Sequence, residues 1–116
     1  MAFSNDQDST MLRQQAKFNI GQIIRHAEHG YRGVVADVDP RFLGPEEMYA
    51  KAEPAIRLSK EQPWYHILVD GDSVQTYVAE QSLRSDGSAE PVDHPYVDDF
   101  FSSFERDHYI TRQSIN

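Results

Sequence analysis

Gly30 and Gly33 bracket a tyrosine and an arginine just ahead of the run Val34-Val35-Ala36-Asp37-Val38, which stops at Asp39-Pro40. No other stretch of the chain restricts the fold as strongly. A run this short and this rich in β-branched residues suits a strand rather than a helix. Proline ends it, because it has no N–H to give to a ladder. Glycine inside a strand pattern marks a bulge or a close approach of two backbones. With Gln22 to His26 just before it and a turn over 27–30, the segment predicts a hairpin that opens a small, curled sheet.

Two further strands follow. Trp64 to Val69 alternates, with Tyr65, Ile67 and Val69 on one face and Trp64, His66 and Leu68 on the other, so one of Trp64 and Tyr65 is expected in the core. Asp70-Gly71-Asp72-Ser73 reads as a hairpin turn, and Val74 to Ala79 as the returning strand, with Leu83 the last core anchor. Between the two hairpins, Asp39 to Pro63 forms a connection long enough to suggest a role of its own. Gly44-Pro45 opens a predicted short helix over Glu46 to Ala52, with acidic residues in its first turn, where the helix dipole favours them.

These elements predict a mainly β fold: a small, SH3-like, partly open antiparallel barrel over 17–83. Residues 1–16 are expected to be a flexible lead-in. The segment 84–116 carries three basic and seven acidic residues and reads as an acidic C-terminal extension, partly packed on the barrel. Within it Tyr96, Val97, Phe100, Phe101 and Phe104 recur at spacings of three and four, which predicts a short helix over Pro95 to Arg106.

The chain has 116 residues, a net charge of −8 and no cysteine. Disulfides, cysteine nucleophiles and thiolate-bound metals are thereby excluded. The first residues lack the apolar stretch of a secretion signal, so a soluble, cytoplasmic protein is expected. Ser73, Ser82 and Ser85 have no nucleophile-elbow context, and the Gly30 to Gly33 stretch lacks the ending and the following helix of a phosphate loop. Asp37 and Asp39 share a strand face and form a conceivable carboxylate pair, but an Asp-Pro strand ending explains them more simply. His26, His29 and His66 are read as structural histidines rather than metal ligands, since no closely spaced acidic pattern supports them. No enzyme, metal or cofactor is expected.

Lys17-Phe18 with Ile20-Gly21-Gln22, the Gly30 to Pro40 strand, Gln62-Pro63-Trp64-Tyr65-His66 and Tyr77-Val78-Ala79-Glu80-Gln81-Ser82-Leu83 occur in that order. Together they resemble the HspQ or YccV-like family, also called hemimethylated DNA-binding proteins. The resemblance covers about 17–83 and continues through Gly87, Glu90-Pro91-Val92 and His94-Pro95. It implies a small β domain without enzymatic chemistry that acts in heat shock and protein quality control. Members are described as aiding the Lon protease in degrading substrates such as the replication initiator DnaA, and as binding hemimethylated origin DNA.

Two sets of candidate contact residues follow. For a protein partner, a Lon-type protease or its substrates, they are the strand aromatics Tyr31, Trp64, Tyr65 and Tyr77, since such barrels present aromatics to extended peptides. For DNA they are Arg25 and Arg32 on the first hairpin and Arg57 and Lys60 in the long connection. The segment 17–83 carries seven basic and ten acidic residues, which is poor electrostatics for neutralising phosphates. The protein-partner reading is therefore favoured. The open edges of such a barrel also admit a homo-oligomer.

Overall fold

The computed structural model describes residues 16–50 and 58–112. Within them, β1 (Ile23–His26), β2 (Arg32–Asp39), β3 (Trp64–Val69), β4 (Gln75–Ala79) and β5 (Leu83–Ser85) form one antiparallel sheet in the order β4-β3-β2-β1-β5. A second sheet pairs β6 (Phe101–Glu105) with β7 (His108–Thr111). Among the described residues the helical segments are α1 (Glu46–Ala50), α2 (Val97–Phe100) and a 3-10 turn over Glu80–Ser82. The fold is mainly β and the large sheet does not close on itself, as the strand pattern predicted. Among the described residues no helix is long and apolar enough to cross a membrane.

Glycine enforces the curl at two points. Gly33 lies opposite Val69, and a Cβ there would come within 2.7 Å of the Leu68 carbonyl oxygen. Gly21 has φ +94°, and a Cβ on it would run into the Tyr109 carbonyl. Its own carbonyl accepts from the Tyr109 N–H at 2.8 Å. Gly21 is thus the point where the second sheet docks on the first.

Apolar packing covers both faces of the large sheet. Ile24, Val35, Tyr65, Ile67, Val78 and Leu83 gather with Phe18 on one face. Ile23, Val34 and Leu68 pack on the other against Val92, Phe101 and Tyr109 from the C-terminal part. Each such side chain stabilises the fold by about 1.5–3 kcal/mol relative to full exposure. Tyr65 packs within the first of these groups and Trp64 is covered by Phe42 from the long connection, so both are buried, at 0% and 9% exposure, where alternation alone expects one.

The tail departs from its predicted helix. Only Val97–Phe100 is helical, and the chain then reverses as the β6–β7 hairpin. The reversal is built on Arg106 at φ +63°, without the glycine that announces such a turn. Phe101 and Tyr109 meet ring to ring at 5.1 Å, so these aromatics pair across strands rather than along a helix. The large sheet also gains a fifth strand at Leu83, where Ile24 pairs with Ser85 and His26 with Leu83. Of the expected lead-in over 1–16 all but Ala16 lies outside the described residues, as do Arg57 and the predicted end of α1 at Ala52.

Candidate functional site

One face of the β2–β3–β4 region is split between apolar packing and a polar strip. A register shift between Val35 and Asp37 realigns β2, so that Asp37 faces His66, and His66 in turn faces Tyr77 of β4. Asp39 lies one step along, opposite Trp64. One oxygen of Asp39 accepts from the Tyr77 hydroxyl at 2.6 Å and from His66 Nε2 at 3.1 Å. The Tyr77 hydroxyl itself accepts from the Leu43 N–H at 3.0 Å. Burial first, and then the bond to the Asp39 carboxylate, push the Tyr77 phenol up to about 12, so it stays protonated and donates. Asp37, Asp39 and His66 bring ligand atoms within 4.8 Å of one another. They are the residues of this strip whose chemistry suits a divalent cation, although Asp39 already serves two donors.

Beside the strip lies an aromatic cluster that β3 and β4 share with the long connection. Phe42 meets Trp64 at 5.0 Å, Tyr49 at 5.2 Å and Tyr77 at 5.6 Å between ring centroids. The Trp64 indole N–H donates to the Ser59 carbonyl at 3.1 Å. Lys60 places its ammonium 4.6 Å from the Tyr49 ring centre and bonds the Glu46 carboxylate at 2.5 Å. Leu43 and Met48, 57% and 44% exposed, give the cover an apolar outer surface. The described parts of the connection therefore form a lid of packed aromatics over one end of the sheet.

The arginines of the first hairpin converge on Asp86, Arg32 largely buried and Arg25 still 46% exposed. Arg32 Nε donates to Asp86 at 2.9 Å, its Nη1 to Asp70 at 2.8 Å and its Nη2 to the Glu90 carbonyl at 2.5 Å. Arg25 bonds the other oxygen of Asp86 at 3.0 Å. Burial alone would raise the Asp86 carboxyl, but hydrogen bonds from Ser88, Arg32 and Arg25 outweigh it and hold the group at about 2. Arg32 is correspondingly raised. These contacts tie the segment 86–90 to β1 and β2.

Of the sequence-derived protein-contact residues, Trp64 and Tyr77 share the aromatic cluster. Tyr65 is enclosed in the core, where its hydroxyl donates to Glu80 at 2.6 Å and accepts from the Phe18 N–H at 3.2 Å. A ring with no exposed surface has no way to touch a partner. Tyr31 is half-buried on the same face as Tyr65, away from the aromatic cluster, its hydroxyl 3.2 Å from that of Thr76. Of the basic candidates, Arg25 and Arg32 converge on Asp86 and Lys60 on Glu46, while Arg57 lies outside the described residues. His26 and His29 stack on each other at 4.5 Å, apart from the Asp39–His66 pair. Phe42 and Asp86 were missed because they act through partners distant in sequence, Trp64 and Tyr77 for the one and Arg25 and Arg32 for the other, and Tyr49 because its contacts within the long connection follow no periodic pattern.

Residues 16–108 match the model of the YccV-like family, described as hemimethylated DNA-binding protein YccV like. The match spans most of the chain, which therefore belongs to this family.

Proposed function

With membership of the YccV-like family as its premise, we propose that this chain is a non-enzymatic, cytoplasmic binding protein of protein quality control. It engages a Lon-type protease and that protease's substrates, the replication initiator DnaA among them. The observation that carries this reading is the state of the positive charge. Arg25 and Arg32 are held by Asp86, and Lys60 by Glu46, in a chain of net charge −8. A phosphate binder needs such groups free, because neutralising phosphates and releasing their counterions supplies most of its affinity. An acidic surface with a lid of aromatic and apolar side chains suits polypeptide partners instead.

The non-enzymatic part of the proposal draws support from the polar strip. There the Asp39 carboxylate is occupied by Tyr77 and His66, and a general base needs its lone pair free for substrate. An adaptor acts by raising the local concentration of substrate or by biasing the protease toward an active state, with coupling of about 1–3 kcal/mol. Degradation of an unfolded test substrate by a purified Lon-type protease should accelerate as this protein is titrated in. An unchanged rate across the titration refutes the reading.

The family description favours a second reading, recognition of hemimethylated duplex DNA. It requires the first-hairpin arginines to leave Asp86, and an apolar contact to the adenine methyl in the major groove, for which half-buried Tyr31 is the candidate. A mobility-shift comparison of hemimethylated with fully methylated sites tests it. Binding of neither duplex at low salt removes it.

A further inference from the structure

We propose that the outer edge of β4 is a docking site for an extended, lysine- or arginine-bearing peptide segment, which adds a strand to the large sheet. The inference rests on the reading of the chain as a binder of protein partners, and it names the chemistry of the segment bound.

The open edge follows from the hydrogen-bond register. The Val69 N–H donates to Val74 at 3.1 Å and the Glu80 N–H to Pro63 at 2.9 Å, at the two ends of the β3–β4 ladder. Between these ends the pairing alternates. Thr76 and Val78 are therefore turned to β3, and Gln75 and Tyr77 present their N–H and C=O groups outward. β4 ends the strand order, and among the described residues no backbone group pairs with that side. The devices that blunt an exposed edge are a lysine, a proline, a bulge or a covering segment. β4 carries no proline or lysine, and its pairing with β3 runs without a register shift. The opposite edge, β5, is only three residues long and carries Arg84.

Charge selects the occupant. The hairpin from Trp64 to Glu80 holds no lysine or arginine; of its three carboxylates Asp70 is paired with Arg32, which leaves the charges of Asp72 and Glu80, one at each end of β4, without a cationic partner among the described residues. Two copies of this edge would bring like charges together, whereas a basic strand meets opposite ones. An apolar step stands at the turn end. There Val74 is 44% exposed and Tyr96 50% exposed, linked through His94, which donates from Nε2 to the Val74 carbonyl and rests its ring against Tyr96. A segment alternating basic and apolar residues matches both features.

The test uses the full chain and a fluorescent heptapeptide alternating lysine and valine. Its controls are a twin with glutamate for lysine and a twin with every backbone nitrogen methylated. Amide exchange is followed residue by residue. The lysine peptide should bind, both twins should lose at least about tenfold, and the Gln75 and Tyr77 amides should exchange more slowly in the complex. Gln75→Pro removes one outward N–H at an edge position where proline is tolerated, and the folded variant should lose the peptide to a similar degree. Equal binding of the glutamate twin, binding that leaves those two amides unprotected, or full binding by folded Gln75→Pro overturns the proposal. So does protection of the same amides in the free protein that vanishes on dilution, which would assign the edge to a second copy of this chain. If the peptide docks as described but the protease assay stays flat, the quality-control reading falls and the edge stands. If proteolysis accelerates but the peptide fails to dock as described, the reading stands and the edge falls.

Discussion

Replacing Arg32 with alanine removes the centre of the network that ties the segment 86–90 to the first hairpin, and its cost can be worked from the structure. Asp86 is held at about 2, against an ordinary 3.8, which corresponds to roughly 2 kcal/mol of folding free energy at neutral pH. Arg32 shares that contribution with Ser88 and Arg25, but it also serves Asp70 and the Glu90 carbonyl, each bond being worth about 1 kcal/mol. The Asp86 side chain is only 5% exposed, so solvent cannot replace the lost donor. Arg32→Ala should therefore cost about 2–3 kcal/mol, which lowers the melting temperature by about 8–15 °C in a domain of this size. Urea denaturation followed by circular dichroism reads the difference. The sign of its pH dependence is fixed as well. A carboxyl with a depressed folded pKa stabilises above its unfolded value and loses that contribution as pH falls through the folded one. The gap between wild type and variant should thus hold from pH 7 to about 4 and narrow toward pH 2. A variant within about 0.5 kcal/mol of wild type at pH 7, or a gap that widens in acid, refutes the argument.

Three other outcomes are expected. Gly21→Ala places a side chain at φ +94° against the Tyr109 carbonyl and should cost at least about 2 kcal/mol, with loss of the near-ultraviolet signal of the Phe101–Tyr109 pair. His26 is held below its ordinary 6.5 by burial first and then by its neighbour His29, against an opposing pull from Glu28. Its Nδ1 accepts from the Glu28 and His29 N–H groups. Its contribution is complete above about pH 6.5 and is lost as pH falls through the folded value. His26→Asn keeps an acceptor there and should melt with a flatter profile between pH 7 and 5. Tyr77→Phe deletes the donor to Asp39 and should cost about 1–2 kcal/mol by denaturant titration, leaving the aromatic cluster packed.

The hairpin strands were legible because each is announced locally. Alternation over Trp64 to Val69 and the Asp70-Gly71 turn place β3 and β4 to within a residue. The tail was not, because its reversal rests on Arg106 in a left-handed conformation, and Phe100, Phe101 and Phe104 mimic a helical stripe while straddling one helical turn and a strand. The candidate site was legible only as a list of residue types. Trp64 and Tyr77 were identifiable as strand aromatics, but their meeting with Phe42 depends on where a long connection lands. That Asp39, His66 and Tyr77 converge depends on the register of three strands and on the shift after Val35. Arg25 and Arg32 looked available for phosphate because Asp86, more than fifty residues away in sequence, gives no sign of its claim on them.

The docking of Tyr109 on Gly21 also has a consequence for the order of events during synthesis. Val34 and Leu68 belong to a face that Phe101 and Tyr109 complete, so the ribosome must add 41 residues after Leu68 before that face can be covered. At ordinary elongation rates the delay is about 2–8 s. For that interval each nascent chain displays an apolar sheet surface of the kind that chaperones and proteases recognise.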